Sequence, residues 1–225
     1  MTAVTFAPPQ LTAYAAVARR RGRPPRVDRG MIAEAVLAVG FDDLTYAAVG
    51  SRLRVSLATL FRHVRGRDEL SRVGLDLAMR RHAWPDLDGP WRSMLEAWAL
   101  AAWQLWAQHP GAVVEVSRGV VPPTVVHLTD QVGLALQRAG FTSEDELRAV
   151  DLVFDLVTDS RRGVEMLAQE FAEPSLMRGA MDDAIRADPL AWFTGKLDVV
   201  LAGIAAQLAP APSAVSRTGG TNAAV

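Results

Sequence analysis

Five arginines, Arg19, Arg20, Arg21, Arg23 and Arg26, fall within the eight residues RRRGRPPR. Positive charge at that density suits a polyanion, and Pro24-Pro25 keep the stretch extended. Further along, Leu57, Ala58, Thr59, Arg62 and His63 sit on one short helical segment that leaves them free of its apolar face. Such groups reach phosphate oxygens and base edges when a helix end enters a major groove. The charge supports the same chemistry. Residues 1–82 carry 14 of the 24 Lys+Arg and 7 of the 25 Asp+Glu, a net of +7, against 10 and 18, a net of −8, for the rest. A chain whose overall net charge is only −1 thus divides into a basic part and an acidic part.

Other chemistries find little support. The chain has no cysteine, which excludes disulfides, thiol nucleophiles and Cys-ligated metal. No nucleophile elbow, phosphate loop or metal spacing is present, so neither an enzyme nor a cofactor nor a metal site is expected. Asp151, Asp155 and Asp159 recur every four residues but lie across the helix from Val153, Val157 and Val164, which reads as a solvated face. The apolar stretch Leu197–Ala209 is interrupted by Asp198 and is shorter than the roughly 20 residues of a membrane span. The first 18 side chains are uncharged and the arginines follow them, the reverse of a secretory signal. A cytoplasmic protein with no membrane partner is expected.

The elements that must position these groups are helices throughout. Asp28 can cap a first helix carrying Ile32, Val36 and Val39, with Gly40 as its stop. Thr45 can cap a second to about Leu53, and Ser56 a third, LATLFRHV, ended by Gly66. RDELSRVGLDLAMRRHA reads as a fourth. Later helices are expected at about 90–108, 111–119, 123–139, 143–171, 174–187 and 189–208, with SEDE from Ser143 as a capping box. The loop WPDLDGP marks the change of charge. Four segments follow: a basic arm (1–26), a helix-turn-helix unit (27–83), a helical body (84–209) and a tail (210–225). The pair of helices around Arg54-Val55 has helix-turn-helix spacing, which any small three-helix packing unit also shares.

The segment RGRPPRVDRGMIAEAVLAVGFDDLTYAAVGSRLRVSLATLFRHVRGRDEL resembles the DNA-binding domain of the tetracycline-repressor (TetR) family. RGRPP, GFDDLT, VSLATLFRHV and GRDEL carry the resemblance, over about residues 21–71. It implies an all-α protein in which a three-helix DNA-binding domain joins a helical ligand-binding and dimerisation domain. It implies that Thr45 contacts phosphate, that Leu57, Ala58 and Thr59 face bases, and that Arg62 and His63 lie near the backbone. Arg67 would hold phosphate at the start of the fourth helix. Ser56 and Phe61 complete the DNA-facing set. Three positions depart from the family pattern. Arg54 replaces a turn glycine, at a cost of about 1–2 kcal/mol if left-handed, or serves a phosphate. Phe61 replaces a tyrosine and loses its hydroxyl. Gly50 replaces an alanine, weakening its helix by roughly 1 kcal/mol. RGRP also resembles the core of an AT-hook, which lies in a narrow A·T minor groove; a solvated tail with nonspecific affinity is the plainer reading.

Trp91, Trp98, Trp103 and Trp106 fall on one helix, largely on one broad face. Plain core packing accounts for such a face; the four rings also suit the wall of a cavity for a bulky apolar or cationic molecule. His127, among Val125, Val126 and Leu128, is the one histidine placed with them. The two long late helices offer Phe154 and Val157, and Trp192, Leu197 and Leu201, which by resemblance would meet a symmetry mate as a homodimer; burial within one subunit explains the same faces. The expected function is a DNA-binding repressor that a small-molecule effector releases from a palindromic operator in double-stranded DNA. The alternative is a nonspecific architectural DNA binder working through the arm.

Overall fold

The computed structural model describes residues 27–168, 176–208 and 210. The basic arm with Arg19, Arg20, Arg21, Arg23 and Arg26, and the tail from residue 211, lie outside the described residues. Among those described there are ten α-helices, a short 3-10 turn at Met166–Ala168, and no strand. In chain order the helices are α1 (Arg29–Val39), α2 (Tyr46–Leu53), α3 (Leu57–Phe61), α4 (Arg67–Arg81) and α5 (Trp91–Gln108). Then come α6 (Ala112–Ser117), α7 (Pro123–Arg138), α8 (Ser143–Glu165), α9 (Leu176–Ala187) and α10 (Pro189–Gln207).

The front helices start where a side chain can satisfy a free N–H. Asp28 accepts from the Met31 amide at 2.8 Å, Thr45 from Ala48 at 3.1 Å, and Ser56 from Thr59 at 3.3 Å. Gly40 stops α1 with φ 88°. Two expected bounds move. The third helix ends at Phe61 rather than Val64, because His63 and Val64 both turn back to the Leu60 carbonyl in a closing turn. The cap of α8 is Thr142, not Ser143: its hydroxyl accepts from the Asp145 amide and bonds the Asp145 carboxylate. Helix α8 ends at Glu165 and tightens into the 3-10 turn Met166–Ala168, short of the expected residue 171.

Helix α1 packs on α2 and α4, and α2 on α3. Ile32, Val36, Val49, Leu60, Val64 and Leu70 are fully buried between them. Gly74 lets α4 approach α1, since a Cβ there would sit 2.3 Å from Val36 Cγ1. The same α4 turns its other side to α6 and α7. Behind it, α5, α7, α8 and α10 enclose a second apolar centre with α8 in contact with each of the others.

That centre corrects three of the expected dimer contacts. Val157, Leu197 and Leu201 are at most 2% exposed, sealed inside the protomer. They form the faces with which α8 and α10 meet each other and α5, so they are not available to another copy. Phe154 is half-buried and Trp192 is exposed. The apolar run in the last helix is also longer than expected. Pro189–Gln207 has the length and composition of a membrane span, but Phe193, Leu197, Leu201 and Ile204 pack into the centre as a core helix does.

Candidate nucleic-acid interface and effector slot

The exposed end of α3 is built by short-range bonds. Ser56 Oγ and Thr59 Oγ1 lie 3.0 Å apart, and Arg62 Nη2 donates to Thr59 Oγ1 at 3.2 Å. Leu57 and Phe61 are about half exposed, Ala58 and Arg62 are exposed, and Thr59 and His63 are half-buried. Thr45 stands at the start of α2, its hydroxyl already serving the cap. Arg54, Val55, Ser56, Thr59, Arg62 and His63 share one open concavity beside Val27. The structure therefore brings Arg54, Ser56, Thr59, Arg62 and His63 together on one surface.

Sequence reasoning passed over Tyr46. Its ring stacks on Phe61, centroids 4.4 Å apart, and its hydroxyl donates to the carbonyls of Val64 at 3.1 Å and Gly66 at 3.0 Å. Burial pushes its pKa up. A tyrosine at the first position of the second helix, next to a cap, was the available signal. Arg29 ties the same turn from the other side, donating to the His63 carbonyl at 3.0 Å and to Glu69.

Arg54 is the sole non-glycine residue with positive φ among those described, at φ 56°, ψ 43°. The turn keeps its left-handed shape although no glycine occupies it. Arg54→Gly removes that steric cost, partly offset by the looser unfolded chain. The variant is expected to be about 0.5–1 kcal/mol more stable by chemical denaturation. An unchanged or lower midpoint would show that the side chain itself holds the turn.

Arg67 does not stand free for phosphate. Its Nη1 donates to both oxygens of Glu115 on α6, at 2.6 and 2.7 Å, and Ser71 Oγ donates to the same carboxylate at 2.8 Å. Glu115 is 2% exposed, so it needs these donors. The arginine at the start of α4 is thus a tie to the helical body, and 48 residues separate the partners in sequence. Close by, Glu165 accepts from the Gly111 amide at 3.2 Å, and burial raises its pKa.

The tryptophans divide. Trp98 and Trp106 line a narrow slot of about 10 Å³, together with Met79 of α4, Trp84 of the α4–α5 loop, and Phe154 and Thr158 of α8. It has room for at most about one water as it stands. Trp91 and Trp103 lie outside it. Trp91 packs edge-on against Phe141, and Trp103 stacks on Phe193 at 4.5 Å with the Arg161 guanidinium over its ring. His127 is exposed and does not line the slot, although Val125, Leu128 and Thr129 of the same stretch of α7 do. Trp84, in the loop that marks the change of charge, joins the wall and donates Nε1–H to the Met79 carbonyl at 2.9 Å.

Two histidines flank this region. Burial lowers the pKa of His82, and burial with the nearby His82 charge lowers that of His109. The unfolded chain takes up these protons near pH 6.5 while the folded chain resists them, so stability is lost as pH falls through that value. Glu165 and Asp155, both pushed up by burial, act in the opposite sense. The histidine share is therefore isolated by comparison. The pair His82→Gln and His109→Gln is expected to lose less stability than the parent between about pH 7 and 5.5 in thermal melts, the window that brackets the unfolded histidine. Equal losses would contradict it.

Among the described residues no group of acidic or histidine side chains could hold a metal ion. The geometry is that of a two-part all-α protein with a helix-turn-helix at one end and an aromatic slot behind it. Its fold is that of the TetR-family protein ActR. No family model matches it. It is 29% identical over 160 residues to the HTH-type transcriptional repressor DrrR1 of Streptomyces coeruleorubidus, covering 68% of this chain and 58% of that repressor. Apo ActR from Streptomyces coelicolor superposes with TM-score 0.67 at 19% identity, covering 82% of this chain and 97% of ActR. ActR has also been solved with actinorhodin (TM-score 0.65, 16% identity, 81% and 97% covered). BioQ with its double-stranded DNA operator gives TM-score 0.62 at 20% identity, covering 80% of this chain and 99% of BioQ.

Proposed function

We propose that the chain is a ligand-responsive transcriptional repressor that binds a palindromic operator as a homodimer in the cytoplasm and has no enzymatic activity. The observation that carries the reading is the pairing of an exposed α3 end with an aromatic slot, with α4 touching both parts. Leu57, Ala58 and Thr59 meet base edges, and Thr45, Ser56, Arg54, Phe61, Arg62 and His63 border the phosphates. Arg19, Arg20, Arg21, Arg23 and Arg26 follow the flanking DNA. The DNA-binding part takes residues 27–83 and the effector and dimer part residues 84–209. DrrR1, named a repressor, BioQ on its operator and ActR with actinorhodin support each side of this reading.

The dimer surface is the outer side of α8 and α10, where Leu152, Trp192 and Val199 are exposed and Phe154, Leu156 and Val200 half-buried. These replace Val157, Leu197 and Leu201. Two copies joined there set two α3 ends about 34 Å apart for successive major grooves. Effector entry into the slot displaces Met79, and α4 carries the displacement to the helix-turn-helix.

Electrophoretic mobility shift on the DNA flanking the chain's own gene tests this. A sequence-specific shift is expected, reduced but still site-specific on deletion of residues 1–26. No specific shift refutes the reading, and loss of all binding on that deletion favours the architectural alternative.

A further inference from the structure

Helices α7 and α8 form an antiparallel pair across a short turn, and Gly133 lets them meet: a Cβ there would lie 2.2 Å from Glu146 Oε2. Glu146 is only 8% exposed. Its one side-chain donor is neutral, Gln137 Nε2 at 3.1 Å from Oε1, and Oε2 has no partner among the described residues. The carboxylate lines a groove of about 480 Å³ between the two helices, with Asp130 of α7 and Asp151 of α8. No arginine, lysine or histidine lines that groove. A carboxylate held this deep by a single neutral donor is costly unless a cation reaches it. The rest of the lining is largely apolar, with Leu134 and Leu147 more than half exposed.

We propose that this outer groove binds a linear aliphatic diammonium ion, with one ammonium on Glu146, the other at Asp130 and Asp151, and the methylenes along Leu134, Leu147 and Val150. The spacing carries the assignment. Glu146 and Asp151 stand about 7–8 Å apart along the axis of α8, at about 1.5 Å per residue. The two nitrogens of extended 1,5-diaminopentane are separated by a similar span. Because the helices are antiparallel and Gly133 faces Glu146, Asp130 falls on the same side of Glu146 as Asp151. The carboxylates thus form two levels with apolar wall between them, and they do not converge as metal ligands would. Leu152 and Leu156 of the proposed dimer surface project from another side of α8, at about 100° per residue, so two joined copies leave the groove accessible. The site depends neither on the repressor reading nor on the aromatic slot.

Calorimetric titration of the full chain without DNA, at low salt, with 1,5-diaminopentane, n-pentylamine and magnesium chloride tests the assignment. The first has two charges and the apolar stem, the second the stem with one charge, and the third two charges without a stem. The diamine is expected to bind about tenfold more tightly than either of the others. Glu146→Gln and Asp151→Asn are each expected to weaken the diamine about five- to tenfold. Asp155→Asn, one turn further along α8 and outside the groove, is expected to leave it unchanged. Glu146→Gln is not expected to lower the melting temperature, because it removes a charge that has no cation; this separates binding from folding. Equal binding of diamine and monoamine overturns the proposal. So does magnesium binding as tight as the diamine's, a loss in Asp155→Asn matching that in Asp151→Asn, or no binding of the diamine. Because DNA is absent, loss of the operator shift would refute the repressor reading while leaving this titration to stand or fall separately.

Discussion

Arg67→Ala is expected to lower stability by about 3 kcal/mol, read from urea unfolding, because it strands the Glu115 carboxylate in the interior. Breaking a buried pair costs about 3–5 kcal/mol. The low end applies because the Arg67 side chain is 38% exposed and two other groups remain, Ser71 at 2.8 Å and Arg118 at 3.8 Å. The control is the double variant Arg67→Ala, Glu115→Leu. With the charge gone and apolar volume in its place, most of the loss is expected to return. A double variant as unstable as the single one would show that the charge pair is not the cause. The single variant also frees α4 from α6, so the effector is expected to release DNA less efficiently from it in a mobility-shift titration.

Gly111→Ala carries the other large effect. Gly111 has φ 78°, and a Cβ there would lie 2.4 Å from Asp42 Oδ1, 2.8 Å from the Asp42 amide nitrogen and 3.0 Å from the Phe41 carbonyl carbon. The side-chain oxygen can swing away, but the two backbone atoms belong to the α1–α2 turn and cannot. Adding about 1–2 kcal/mol for a left-handed alanine to about 1–3 kcal/mol for overpacking gives roughly 2–5 kcal/mol. At this chain length that is a drop of about 10 °C in melting temperature. Gly119→Ala is the matched control. It has φ 88° with no atom within 4 Å of the added Cβ, so only the conformational cost applies, about 3 °C. Similar drops in both variants would remove the contact with Asp42 from the explanation.

The helix-turn-helix was legible because its signals are local. Asp28, Thr45 and Ser56 each cap within three residues, and the buried positions Val49, Leu60 and Val64 follow helical spacing. The left-handed Arg54 could be posed as a question from its place in the turn, but only backbone angles answer it. The tie from Arg67 to Glu115 was hidden because a basic residue at a helix start suits phosphate equally well, and Glu115 lies far along the chain. The faces of α8 and α10 showed which residues are apolar without showing what covers them, so Val157, Leu197 and Leu201 went to the wrong side of the subunit. The tryptophan helix left core packing and a cavity wall both open for its four rings as a group. Its four rings instead split between the slot and separate packing joints with Phe141 and Phe193.

The stack of Tyr46 on Phe61, with the phenol anchored at two carbonyls, has a bearing on how the surface pays for contact with a partner. Side chains that must freeze on docking each forfeit about 0.5–1.5 kcal/mol of rotamer freedom. Here the largest aromatic on the exposed helix has already surrendered that freedom during folding. Its half-exposed ring therefore meets a duplex preorganised, and a misfitting groove meets a wall that does not yield.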